Sequence, residues 1–214
     1  SKEGERAETA LTAPRRAAAD LVIDTTDMRP PELRKFVESR FSPWEGNGSE
    51  GLTVALMSFA YPQGLPREAD IVLDARFLRN PHYDPALAPR TGLEQDVADY
   101  VAADPDYLPF LEQIHGILRL VLPRFVQEGK KYATIAIGCS GGRHRSVTLI
   151  EALARLLCTP GGMGTHDGAS QWPIMIIHRD LARQGIYSWR WARRPEGSCL
   201  LPPPADEAVD PPSL

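Results

Sequence analysis

One stretch of this chain, Gly138-Cys139-Ser140-Gly141-Gly142-Arg143-His144-Arg145-Ser146, combines a permissive backbone with hydroxyls and fixed positive charge. A phosphate asks for hydrogen-bond donors and positive charge from several directions at once. Glycine has no Cβ to block close approach, so Gly138, Gly141 and Gly142 let the main chain turn its N–H groups inward. Arg143 and Arg145 carry charge on planar forks of donors, while Ser140 and Ser146 add hydroxyls and His144 a ring nitrogen. The apolar run Tyr132-Ala133-Thr134-Ile135-Ala136-Ile137 precedes this segment, and Val147, Ile150, Leu153, Ala154 and Leu157 follow it at helical spacing. A buried strand therefore delivers the loop. A helix then points its free N–H groups and its dipole at the same place.

Cys139, Gly142, Arg145 and Ser146 also fit the spacing C-x-x-G-x-x-R-S. In this they resemble the phosphate loop of cysteine phosphatases, whose thiolate attacks phosphorus. Gly138 stands where a histidine precedes that cysteine, and no general acid is identifiable. Phosphate binding is the first expectation, and catalysis through Cys139 and Arg145 the alternative.

Other chemistry-bearing residues lie on either side. Asp74 closes the short apolar run from Ile71 to Leu73, where a ligand-facing carboxylate belongs, and Arg76 follows two residues on. His82 sits among the prolines of Asn80-Pro81-His82-Tyr83-Asp84-Pro85, a segment that proline keeps out of regular structure. Near the C-terminus Arg179, Arg183, Arg190, Arg193 and Arg194 interleave with Tyr187, Trp189 and Trp191. Such a mixture can hold RNA by phosphate contact and base stacking. His115 and His166 suggest no site, and no histidine–cysteine spacing resembles a zinc centre.

The elements that must position these residues alternate. Strands are predicted at Leu52–Phe59, Ile71–Leu73, Tyr132–Ile137 and Ile174–Ile177, the last in the chain, besides a short apolar run at Leu21–Ile23. Helices are predicted over Pro105–Glu128, with Pro123 expected to kink or end it, and over Arg143–Leu157. The expectation is an α/β fold, a largely parallel sheet flanked by helices, with ligands at the carboxyl ends of its strands. Ser42 to Gly51 reads as a long loop, Cys158 to Gln171 as glycine-rich loop, and the acidic, proline-rich end from Pro195 as disordered. The net charge of -4 argues against a surface dominated by nucleic acid. Three scattered cysteines do not make a disulfide framework, and no secretory signal is visible, so a cytoplasmic home is expected. The longest apolar-rich stretch, near Tyr107–Val126, is interrupted by charge and predicts an amphipathic helix and no membrane span.

Several short motifs, taken together, resemble the C-terminal domain of the RapZ family, P-loop-containing bacterial regulators also known as RNase adapter proteins. They are Ser58-Phe59, Gly64-Leu65-Pro66, Ala69-Asp70, Asp74-Ala75-Arg76-Phe77-Leu78, Asn80-Pro81-His82, Thr91-Gly92, Ala136-Ile137-Gly138-Cys139, Gly141-Gly142-Arg143-His144-Arg145-Ser146 and His178-Arg179. Ala18 to Thr26 is similar to the end of that family's N-terminal nucleotide-binding domain. The resemblance divides the chain into such a remnant at 1–45, a linker at 46–51, the sugar-phosphate domain at 52–194 and a tail at 195–214. It implies a regulatory, non-enzymatic sensor of a phosphorylated amino sugar, glucosamine 6-phosphate above all, held by Asp74, Arg76, His82 and the loop from Cys139 to Arg145. It also implies a small RNA and an endoribonuclease as partners, with Arg179, Arg190, Arg193 and Arg194 as RNA contacts, and a homo-oligomer. No G-x-x-x-x-G-K-[ST] occurs in the chain, so ATP or GTP is not expected as its cofactor, nor is a metal.

Overall fold

The computed structural model describes Thr25 and residues 52–158, 172–186 and 189–193. The expectations for the strand near Leu21, the segments 1–45 and 46–51, the glycine-rich loop after Cys158, Tyr187, Arg194 and the tail lie outside those residues.

Five strands form one sheet: β1 (Thr53–Ala60), β2 (Ile71–Asp74), β3 (Tyr132–Cys139), β4 (Ile174–His178) and β5 (Arg190–Arg193). Their order is β2-β3-β1-β4-β5. The first four run parallel, and β5 adds antiparallel to β4 at one edge. The α/β expectation holds, with a strand the sequence reading did not supply. The helices are α1 (Gln95–Ala102), α2 (Tyr107–Gln127), α3 (Arg145–Cys158) and α4 (Arg179–Arg183). No helix among the described residues is long and apolar enough to cross a membrane.

Strand alternation decides the layers. Val54 and Leu56 on β1, Ala133, Ile135 and Ile137 on β3, and Ile174 and Ile176 on β4 all turn to one face. There they meet Ile150, Leu153, Ala154 and Leu157 of α3 and Leu111, Ile114, Leu118 and Leu122 of α2, in one continuous core. Met57, Phe59 and Ala136 form a smaller cluster with Tyr61, Ala69 and Ile177. Residues 145–151 are all buried, which fixes the start of α3 against the sheet.

Three local expectations need correction. Pro123 lies inside α2 and does not end it. Proline removes one N–H and leaves one carbonyl unpaired, which is cheap on the exposed face where Pro123 sits, while Leu118 and Leu122 hold the helix to the core. The segment after Asp74 carries a helix that was not foreseen, α1, with only Val97 and Val101 buried. The basic aromatic segment near the end holds the edge strand β5.

Candidate functional site

The carboxyl ends of β1, β2 and β3 lie side by side: Ala60 is in register with Cys139, and Asp74 with Gly138. Loop residues 140–144 leave β3 there and run into α3. Gly138 sits against the rings of Phe59 and Tyr61, where an added Cβ would come within 2.5 Å of both. A larger residue before Cys139, such as the histidine of a phosphatase loop, has no room. Gly142 adopts φ +61, and its Cα faces the Ala60 N–H and Asp180 Oδ2. Asp180 accepts that N–H at 2.7 Å and takes bonds from Arg179 and Arg183 at 3.3 Å, so α4 braces the loop from below.

The loop arginines do not act as free forks. Arg143 gives Nε to the carbonyl of Arg90 at 2.7 Å, one Nη to the carbonyl of Pro89 and the other to Gln184 at 2.7 Å. Its guanidinium thus staples segment 89–90 and the end of α4 to the loop. Arg145 is buried and donates to the carbonyls of Arg76 at 2.6 Å and Leu78 at 3.1 Å, and to Ser140 Oγ at 3.1 Å, while its Nε has no partner among the described residues. It ties the turn after β2 to the loop and keeps a positive charge beneath it. His144 is 8% exposed and bonds through Nε2 to the carbonyl of Arg90. Burial pushes its pKa down, with smaller opposing effects from the Arg90 carbonyl. Cys139 is buried, with Sγ 3.2 Å from Ser146 Oγ.

Among the described residues, the loop amides lack acceptors: no hydrogen bond takes up the N–H groups of Ser140 to Val147, whereas the N–H of Thr148 already bonds to the carbonyl of His144. The first N–H groups of a helix have no partner in the helix itself, and an anion is one way to satisfy them. Ser140 and Gly141 are exposed.

Asp74 and Arg76 meet at the rim as a forked ion pair, with contacts from 2.6 to 3.0 Å. The hydrogen bond from Arg76 holds the Asp74 carboxyl below the usual carboxylate range, with Arg145 adding to the effect. The Arg76 guanidinium lies 4.1 Å over the Tyr61 ring, a stacking residue the sequence reading missed. His82 is exposed in a short 3-10 turn, Pro81–Tyr83, and is close enough to add a small lowering effect on the His144 pKa. The predicted ligand residues therefore gather at one end of the sheet, with Arg143 and Arg145 engaged in holding it together.

The described members of the predicted RNA set, Arg179, Arg190 and Arg193, are engaged or buried within the domain. Arg179 donates to the carbonyls of Gly64 and Ala60, Arg190 pairs with Glu151 at 2.5 Å, and Arg193 is 1% exposed. Sequence reasoning also missed a buried chain beneath α3. Ser58 Oγ is 2.8 Å from His178 Nδ1, and His178 Nε2 is 3.0 Å from Glu151 Oε1. Burial pushes the Glu151 carboxyl up, but the His178 and Arg190 bonds outweigh it and hold the group below its ordinary value. Ionised Glu151 must accept from Nε2–H, so Nδ1 of the neutral ring accepts from the Ser58 hydroxyl. Among the described residues, no cluster of three or more His, Cys, Asp or Glu is placed to hold a metal ion.

Comparison with known proteins places these features in company. A family model described as the RapZ C-terminal domain matches residues 52–182. A nucleotide-binding protein of Gluconacetobacter diazotrophicus is 62% identical over 220 residues, covering 91% of this chain and 62% of that protein. One from Gluconobacter oxydans is 63% identical over 189 residues, covering 88% of this chain and 56% of its own length. A more distant one from Mycolicibacterium smegmatis is 44% identical over 182 residues, covering 85% and 58%. The chain spans about three fifths of the length of these relatives.

Proposed function

The chain belongs to the RapZ C-terminal domain family, and from that premise we propose that its loop binds a phosphorylated amino sugar, of the glucosamine 6-phosphate kind, as a regulatory signal. One observation carries the reading: a run of amides from Ser140 to Val147 with no acceptor among the described residues, at the head of a helix, with Arg145 fixed beneath them. Phosphate supplies the acceptors those amides lack. Asp74, kept ionised at the rim by Arg76, is an acceptor for the ammonium and hydroxyls of the sugar. Tyr61, stacked on Arg76, stands beside it.

Nucleotide binding, which names the relatives, is not extended to these residues. A role for the whole protein as an RNA adapter would draw on more than Arg179, Arg190 and Arg193, whose guanidinium groups are bonded or buried inside the domain.

The test is calorimetric titration with glucosamine 6-phosphate, glucosamine and inorganic phosphate. The expected order is saturable binding of the sugar phosphate, weaker binding of phosphate and none of glucosamine. Arg145→Ala would also release the Arg76 and Leu78 carbonyls, so Ser140→Ala and Asp74→Asn are the cleaner variants. No response to any phosphorylated sugar would sink the reading.

A second reading is a cysteine-dependent phosphatase, favoured by the 3.2 Å approach of Cys139 Sγ to Ser146 Oγ at the head of α3. It requires turnover of an aryl phosphate that Cys139→Ser abolishes while phosphate binding persists. Flat kinetics with folded protein retire it.

A further inference from the structure

Tyr61 is held at the rim from several sides. β1 ends at Ala60, and Tyr61 begins a 3-10 turn, Tyr61–Gln63, that Gly64 closes at φ +84. Arg179 grips both ends of this turn, donating to the carbonyl of Ala60 at 3.0 Å and to that of Gly64 at 2.8 Å. The Tyr61 ring packs on Phe59, with centroids 4.9 Å apart, beside the space that Gly138 leaves empty. Backbone and ring are thus both fixed, and the Arg76 guanidinium lies 4.1 Å over the ring.

This stack acts on a group beyond itself. Arg76 is a long, half-exposed side chain, and such chains keep many rotamers unless something confines them. A ring face attracts a guanidinium and settles its plane. In that plane Nε and Nη2 reach the Asp74 carboxylate at 2.6 to 3.0 Å, and the Arg76 backbone N–H adds a further bond at 2.9 Å. A carboxylate offers about four acceptor positions. The Arg76 N–H, Nε and Nη2 occupy all but about one of them.

We propose that Tyr61 is a positioning residue for ligand choice: through Arg76 it fixes Asp74 with one acceptor position free. The rim then favours a phosphate whose parent molecule brings one donor, as the ammonium of an amino sugar does, over a bare phosphate. This rests on the sugar-phosphate reading of the loop.

Calorimetry of the whole chain with glucosamine 6-phosphate and inorganic phosphate compares Tyr61→Leu with Tyr61→Phe. Leucine removes the ring face and should lower affinity for the sugar phosphate about two- to fivefold relative to that for phosphate. Phenylalanine keeps the face and should restore the ratio. Carboxyl NMR gives a second readout that needs no ligand. In Tyr61→Leu the Asp74 pKa should rise from its lowered position toward the ordinary carboxylate range, and in Tyr61→Phe it should not move. A ring that only fills space would cost stability in Tyr61→Leu while leaving the ratio and the Asp74 titration unmoved, and either of those unmoved overturns the proposal. If the parent chain binds no phosphate at all, the loop reading fails and this selection with it; phosphate binding with an unmoved ratio defeats the selection alone.

Discussion

Two adjacent glycines of the loop should respond to alanine in opposite ways. Gly142 holds φ +61, and an added Cβ would stand 2.8 Å from the Ala60 nitrogen and 2.9 Å from Asp180 Oδ2. The left-handed conformation costs an L-residue about 1–2 kcal/mol. Relieving the contact pushes Asp180 off the Ala60 N–H, a buried charge-assisted hydrogen bond of 2.7 Å that contributes about 1.5–3 kcal/mol. Gly142→Ala should therefore destabilise the chain by about 3 kcal/mol, lowering the melting temperature by roughly 6–12 °C. Gly141 has no positive φ, and its added Cβ would meet nothing within 4 Å. Gly141→Ala should leave stability within about 0.5 kcal/mol of the parent. Its methyl group would stand over the open side of the loop, so phosphate affinity should fall while the fold holds. Urea denaturation gives the first pair of values and calorimetry the second. A cost below about 1 kcal/mol for Gly142→Ala, or an equal cost for both, would refute the idea that α4 shapes the loop through Asp180.

The remaining predictions concern the neighbouring supports. Glu151→Ala leaves His178 and Arg190 without their acceptor and should cost about 3 kcal/mol in urea denaturation, whereas Ser58→Ala, losing one hydrogen bond, should cost about 1–2 kcal/mol. His144 and His178 both have pKa values pushed below normal by burial, so on acidification the unfolded chain gains protons before the folded chain does. Their stabilisation should be complete above about pH 6.5 and decline as pH falls through the lowered values; denaturation midpoints between pH 7.5 and 5.5 measure it, and His178→Gln should flatten the slope. Asp74→Asn should weaken glucosamine 6-phosphate more than inorganic phosphate in the calorimeter, because only the sugar's ammonium and hydroxyls need that carboxylate.

What the sequence disclosed followed from local signals. The apolar alternation of Tyr132 to Ile137, broken at Gly138 and resumed at helical spacing after Ser146, specified the strand, the loop and the helix together. Asp74 was legible as the end of a strand in a parallel sheet. α1 was not legible, since it buries only Val97 and Val101 and its charged face resembles a loop. β5 was hidden because its residues, Arg190 to Arg193, look like a basic surface segment until pairing with β4 buries Ala192 and Arg193. The Ser58–His178–Glu151 chain was beyond reach for a different reason. Its members are separated by 120 and 27 positions, and only the parallel pairing of β1 with β4, which sets Ser58 opposite His178, brings them together.

The bonding of the two loop arginines sets what kind of anion site the proposed reading requires. A site built on free guanidinium forks would bind through side chains that must be ordered by the ligand, at a cost in rotamer entropy. Here Arg143 and Arg145 are already ordered, each spanning from the loop to carbonyls of a neighbouring segment, 89–90 for one and 76–78 for the other. They hold the main chain in a shape that leaves its amides without acceptors among the described residues, while their charge stays close by. Under the proposed reading, recognition rests on a fixed backbone, which suits a phosphate of any parent molecule. Discrimination among phosphates then falls to the rim, where Asp74, Arg76 and Tyr61 lie together. The divided labour follows from the sheet itself. β3 leads into the loop amides and β2 ends on the Asp74 carboxylate, and Arg145 joins the two because those strands are neighbours.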